Sequence, residues 1–179
     1  MNKFSKLIFI TIFLFVCINL NLFAQIKWYT IEEALEKNKK EPRKIIIDVY
    51  TDWCGWCKVM DKNTFSNSFI ADYLNKKFYP VKFNAEQTSD VKIGDKVFKF
   101  VKSGARGYHE LAAALLQGQL SYPSVVFLDE NLGLIYISRG YIQASQFDMI
   151  SKYIGENYYK SIKWEEFTKS YKSPIIENQ

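Results

Sequence analysis

Two cysteines separated by two residues, in Trp53-Cys54-Gly55-Trp56-Cys57-Lys58, carry the most specific chemistry this chain offers. The pair follows Lys44-Ile45-Ile46-Ile47-Asp48-Val49-Tyr50, a run dense in β-branched residues that reads as a central strand covered on both faces. A helix is predicted from about Cys54 to Thr64, so the pair sits where a buried strand feeds a helix N-terminus. The first thiol at such a junction lies against unpaired backbone N–H groups and the positive helix end, which favour thiolate over thiol. The second, one helical turn further in, can attack a mixed disulfide made by the first. Cys54 is therefore expected at the exposed helix start as the attacking thiol, and Cys57 as the resolving one. A structural disulfide and a metal-capturing pair are the alternatives. The metal reading lacks further ligands, because the chain holds one His in total.

Asp48 lies six residues before Cys54, inside an otherwise apolar strand. An isolated carboxylate is costly to bury, so its pKa should be raised, and a carboxyl poised in this way can take the proton of Cys57. The competing placement puts Asp48 in solvent on a half-exposed strand. Lys82, in Tyr79-Pro80-Val81-Lys82-Phe83, becomes the charge partner of Asp48 if that second candidate strand pairs alongside; otherwise it is a solvated lysine.

Cysteine usage depends on the N-terminus. Lys3 and Lys6 precede an apolar run from Leu7 to Ile18, and the small residue Ala24 stands before Gln25. A positive n-region, an apolar h-region of about a dozen residues and a small residue before the cut describe a secretory signal peptide, residues 1–24. A retained anchor is the alternative, though the run is short for a full span. Once that segment, with Cys17, is gone, Cys54 and Cys57 alone remain. One close pair makes no multi-bridge scaffold, so redox work is the expectation over stapling.

The 179-residue chain is 48% hydrophobic and 24% charged, which fits a folded domain and argues against a disordered or collagen-like one. Its net charge of +5 falls to +3 without the first 24 residues, where 22 basic side chains remain against 19 acidic ones. Basic and acidic residues are interspersed, giving no nucleic-acid footprint.

The elements that must hold the pair follow from periodicity. Thr30 to Lys39 reads as a helix with Thr30 as N-cap and Glu33 completing a capping box. Asn67 to Lys76 reads as another, with Phe69, Ile70, Tyr73 and Leu74 on its buried side. Val91 to Ile93 and Lys96 to Val101 flank Gly94-Asp95 as a hairpin, with Gly104 and Gly107 punctuating its exit. Tyr108 to Leu116 is Ala- and Leu-rich and helical, closing at Gly118, which leaves His109 a surface or capping residue near the helix start. Ser124 to Leu128 and Leu134 to Ser138 form an antiparallel pair, and Ser145 to Ile154 a last core helix. This order gives an α/β three-layer sandwich, a mixed central sheet with helices on both faces. The organisation expected is a domain over residues 25–155, with an insertion at about 84–107, and a C-terminal extension over 156–179 whose aromatic residues dock as an extra amphipathic helix.

The stretch Ile47 to Lys58, with Met60, Thr64 and Phe65 following, resembles the active-site region of the thioredoxin superfamily. It is similar in particular to exported thioredoxin-like reductases, including the C-terminal domain of transmembrane thiol-reductant transporters, over about Ile31 to Ile154. The resemblance implies a thioredoxin-like fold, with Cys54 attacking, Cys57 resolving, Asp48 as the buried acid and Lys82 as its neighbour. It also implies that Tyr122-Pro123-Ser124 is the cis-proline loop lining the substrate groove, with Trp53, Gly55 and Trp56 around the thiols. A cis X–Pro turn there presents backbone to an extended peptide and leaves no room for a metal. Gly140, in Ser138-Arg139-Gly140-Tyr141, matches the glycine that keeps the groove open. Gly55-Trp56 departs from the Gly-Pro of ordinary thioredoxins, and the 84–107 stretch exceeds a plain thioredoxin connection, as a lid or docking surface would.

The function these residues imply is a thiol:disulfide oxidoreductase, in the periplasm or otherwise exported, that reduces protein disulfides. Its partners would be exported disulfide-bearing proteins or peptides and a separate thiol electron donor, membrane-bound or not, without nucleic acid. No dinucleotide or flavin motif occurs, so the cofactor expected is the Cys54–Cys57 pair itself, with no metal. Oxidants of the superfamily often carry a His inside the pair; Gly55-Trp56 supplies no such charge, which tilts toward reduction. The alternatives are a disulfide oxidase or isomerase, and a non-catalytic module binding a thiol partner or Cu(I).

Overall fold

The computed structural model describes residues 24–177, and the expected signal peptide falls almost wholly outside them. Four strands form the central sheet: β1 (Lys44–Tyr50), β2 (Phe78–Asn84), β7 (Ser124–Leu128) and β8 (Leu134–Arg139), in the order β2-β1-β7-β8. β1 runs parallel to β2 and antiparallel to β7, and β7 runs antiparallel to β8. The two-residue period of β1 divides its apolar side chains between two cores. Ile46 joins Met60, Phe65, Phe127 and Phe147 on one face, while Ile45, Ile47 and Val49 join Ala34, Val81 and Leu111 on the other. With both faces covered, β1 is continuously apolar apart from Asp48, and a mixed sheet between helical layers is the architecture expected from sequence.

α1 (Ile31–Lys40) starts at the capping box: the Thr30 hydroxyl accepts from the Glu33 N–H and the Glu33 carboxylate from the Thr30 N–H. α2 (Gly55–Met60) runs on into a wider π-type turn over Asp61–Phe65, so the helix predicted to Thr64 is not uniform. α3 (Ser68–Lys77) is capped by the Asn67 side chain. Phe69, expected on its buried side, is exposed, because Ile70, Ala71, Tyr73 and Leu74 already fill the inward arc.

The insertion holds two hairpins where one was expected. β3 (Val91–Ile93) pairs with β4 (Lys96–Phe98), and β5 (Phe100–Ser103) pairs with β6 (Arg106–His109). The anticipated Lys96–Val101 strand therefore breaks at Lys99, whose N–H is taken by the Glu110 carboxylate. Tyr108 pairs with Val101, so α4 (Glu110–Leu115) starts two residues later than predicted. Gly107 lies within β6 and does not mark an exit; a Cβ there would run into the Phe100 ring. His109 caps α4, its Nδ1 accepting from the Leu111 N–H, but it is fully buried and no surface residue. With Nδ1 an acceptor, Nε2–H donates to the Ser89 carbonyl at 3.1 Å, and the ring stands edge-on to Phe83.

α5 (Ala144–Gly155) closes the first core, and α6 (Trp164–Ser170) follows a short 3-10 turn. Phe167 of α6 is buried against Tyr153, Tyr158 and Trp164, so the C-terminal segment docks as a helix. At the other end, the Gln25 carbonyl and the Lys27 N–H both bond the Asn75 amide. Among the described residues no helix is long and apolar enough to cross a membrane.

Candidate functional site

The sheet brings three connections to one end. β1 finishes beside Cys54, antiparallel β7 starts beside Tyr122-Pro123, and β8 finishes beside Gly140. Cys54 and Cys57 are joined as a disulfide with Cα atoms 5.3 Å apart. Cys54 is the N-cap of α2, and its Sγ accepts from the Cys57 N–H at 3.1 Å. The first sulfur thus takes one of the orphan donors that every helix start presents. One expectation needs correction: Cys54 is 5% exposed and Cys57 4%, so in the disulfide state accessibility does not separate them. What stands out at the surface are the flanking indoles, Trp53 at 52% and Trp56 at 62% exposed.

These indoles mark the two sides of the site. Trp53 meets Tyr122 edge-on with ring centroids 6.1 Å apart, and Trp56 lies 5.5 Å from Tyr141. The Tyr122–Pro123 peptide bond is cis, and the Pro123 carbonyl accepts from the Gly140 N–H at 2.8 Å, tying the two loops together. Gly140 has φ +88°, a backbone conformation natural to glycine, and a Cβ there would meet nothing within 4 Å. Gly55 has equally open space.

A charged cluster packs against the end of the helix that carries the cysteines. Register places Asp48 directly opposite Lys82, and Asp48 Oδ2 lies 2.9 Å from Lys82 Nζ. The same ammonium contacts Asp61, which sits one α-helical turn after Cys57 and so on the same helix side. Lys82 is also ringed by Trp28, Tyr50 and Phe65, with centroids 5.2, 5.1 and 5.6 Å from Nζ. Asp48 shares the sheet face of Ile46, the face covered by α2, and its Oδ1 has no hydrogen-bond partner among the described residues. Burial pushes its carboxyl up to about 6, against the opposing pull of Lys82 and with a further push from Asp61. Burial alone would lower the Lys82 ammonium, but the two carboxylates outweigh it and its pKa is raised.

The structure therefore assembles Cys54, Cys57, Trp53, Gly55, Trp56, Tyr122, Pro123 and Gly140 at one sheet end, with Asp48 and Lys82 paired below. Sequence reading missed Asp61, for which the four-residue spacing from Cys57 was an available signal. It also missed Glu86, whose Oε1 accepts from Trp53 Nε1–H at 3.0 Å, and Arg106, whose guanidinium carbon is 4.3 Å from the Trp53 ring centroid. Both come from the irregular insertion and have no local signature. Among the described residues no group of three or more His, Cys, Asp or Glu side chains is placed to hold a metal ion.

Residues 19–154 match the family profile Thioredox_DsbH, described as a protein of unknown function, DUF255. The chain belongs to that family. Among curated proteins, spermatogenesis-associated protein 20 of Rattus norvegicus is 36% identical over 84 residues, 46% of this chain and 10% of that protein. The chain thus spans about a tenth of the length of that relative. Thiol:disulfide interchange protein DsbD of Actinobacillus pleuropneumoniae serotype 5b (strain L20) is 25% identical over 121 residues, 66% of this chain and 18% of that one. Among solved structures, a thioredoxin from Thermus thermophilus superposes with a TM-score of 0.55 at 17% identity, covering 73% of this chain and 87% of that one. That likeness shows the thioredoxin fold. Together these findings set a Cys54–Cys57 pair in a thioredoxin fold, in a chain of the Thioredox_DsbH family that is similar to part of DsbD.

Proposed function

We propose that this chain is an exported thiol:disulfide oxidoreductase that reduces disulfides in proteins or peptides. The observation that carries the reading is the Cys54–Cys57 disulfide capping the start of the helix that covers the sheet face of Asp48, a buried carboxyl with a raised pKa. In the reduced protein, Cys54 thiolate attacks one sulfur of a substrate disulfide, and the other substrate sulfur leaves as thiolate and takes a proton. Cys57 then gives its proton to Asp48 and attacks Cys54 Sγ. The second substrate thiol leaves, and two electrons have passed from enzyme to substrate as the Cys54–Cys57 bond forms. Asp48 suits the proton transfer because its carboxyl titrates at about 6, near neutral pH, and has one oxygen free. Lys82 and Asp61 tune and hold that carboxyl. Tyr122, Pro123 and Gly140 line the groove, with Trp53 and Trp56 as its walls. A separate thiol donor returns two electrons and two protons to the pair, which is the redox cofactor.

Export rests on the Lys3/Lys6 n-region, the apolar run and Ala24, and places the protein in the periplasm with cleavage after Ala24. Such a cut keeps Gln25 and Lys27, whose backbone groups bond Asn75.

Single-cysteine variants test the redox reading. Cys54→Ala is expected to abolish disulfide reduction, and Cys57→Ala to accumulate a mixed disulfide with substrate, read by non-reducing gel and intact mass. A Cys57→Ala protein that captures no disulfide substrate, alongside a wild type that does not exchange with glutathione, contradicts the reading.

A further inference from the structure

The second hairpin of the insertion reaches Trp53, the residue next to Cys54. Between Lys96 and His109 the chain carries Lys96, Lys99, Lys102 and Arg106 and no acidic residue. None of these four takes part in an ion pair among the described residues. Arg106, at the first position of β6, stacks on Trp53, the residue adjoining Cys54. A guanidinium spread on an indole face keeps its in-plane N–H groups available for a carboxylate. Those of Arg106 donate no hydrogen bond among the described residues. Trp53, Glu86, Arg106, Tyr108, Ser121 and Tyr122 together line an open pocket between the hairpin and the Pro123 loop. Glu86 is the one acid there, and Trp53 Nε1–H holds its carboxylate.

We propose that the β5–β6 hairpin selects substrates: Arg106 receives the carboxylate of an acidic side chain lying within two residues of the substrate's disulfide cysteine. This rests on the reading of the pair as a disulfide reductant. Each extended residue spans about 3.3–3.6 Å, so a side chain one or two places from a cysteine attacked by Cys54 falls at Trp53 and Arg106. Trp56 and Tyr141 on the opposite side of the groove bring no charge of their own. The selectivity is therefore one-sided, set by a positive hairpin against a neutral aromatic wall.

The test uses the pre-reduced full-length protein and three disulfide-linked peptides identical except for Glu, Gln or Lys two residues from the cysteine. The neutral bis(2-hydroxyethyl) disulfide is the reference. Wild type is expected to reduce the Glu peptide about tenfold faster than the Lys peptide at low ionic strength, a ratio that shrinks with salt. Arg106→Glu should reverse the order and Arg106→Gln flatten it. The ratio within each variant cancels any change in the dithiol itself. Lys39→Glu, a charge reversal on the distant α1 surface, should keep the wild-type ratio. Equal rates for the three peptides with reduction of the reference disulfide overturn the selector alone, as does a ratio that Lys39→Glu changes as much as Arg106→Glu. Failure to reduce even the reference disulfide overturns the redox reading and the selector with it.

Discussion

Asp48 and Asp148 are buried almost alike, at 2% and 1% exposed, and each leaves its Oδ1 without a hydrogen-bond partner among the described residues. Their second oxygens differ. Asp48 Oδ2 faces the Lys82 ammonium, shared with Asp61, under the helix that carries the cysteines. Asp148 Oδ2 accepts from the Tyr171 hydroxyl at 2.8 Å, fastening the chain after α6 onto α5. The phenol, in turn, is pushed up by burial and by bonding to the carboxyl, so it stays a donor. Burial of a carboxyl alone therefore does not mark a reactive site. Asp48 is set apart by its contact with a cation shared with Asp61, at the end of the helix that carries the cysteines; Asp148 serves as an anchor for the C-terminal segment.

The largest expected difference between them is kinetic. Asp48→Asn should slow the resolving attack of Cys57 by about a hundredfold, the scale of a positioned general base, with a smaller effect on the first attack by Cys54. Asp148→Asn should leave both steps at the parent rate. Stopped-flow fluorescence of the mixed-disulfide intermediate separates the steps. Equal resolving rates for Asp48→Asn and wild type would remove the distinction.

Stability should move in opposite directions. A folded-state pKa of about 6 against an ordinary 3.8 means that the folded protein holds the Asp48 proton where the unfolded chain has lost it. Stability consequently falls as pH rises between these values, and the cost is fully present above pH 6. Asp48→Asn should then stabilise the protein at pH 7.5 by at most about 3 kcal/mol, while Lys82 keeps Asp61 as partner. The gain should fade as pH drops from 6 to 4. Tyr171→Phe removes the donor to Asp148 and should cost about 1–2 kcal/mol at pH 7.5. Denaturant melts at both pH values check the pair of signs; a loss for Asp48→Asn at pH 7.5 would show that the carboxylate is stabilising there.

How much of this was legible in sequence differs from region to region. β1, β7 and α1 were readable because a continuous apolar run and a capping box are local signals, and the Asp48 anomaly stood out against its strand. The Asp48–Lys82 pair followed once β1 and β2 were placed side by side. The insertion was less legible. Its four short strands take their register from contacts such as the Phe100 ring over Gly107 and the Glu110 carboxylate on Lys99, which periodicity does not encode. His109, read as a surface or capping residue, does cap α4, yet it is buried because the Leu111 N–H and the Ser89 carbonyl satisfy both ring nitrogens. Cys54 was expected to be exposed as a helix start, but in the disulfide with Cys57 it is buried.

The most direct test of the central claim is the redox midpoint of the Cys54–Cys57 pair, read by equilibrating the protein with defined thiol–disulfide buffers and counting free thiols by mass. A reductase predicts a two-electron midpoint near the thioredoxin value of about −270 mV. A midpoint near −120 mV would contradict reduction in favour of oxidation, and a pair that never exchanges would contradict thiol–disulfide chemistry altogether.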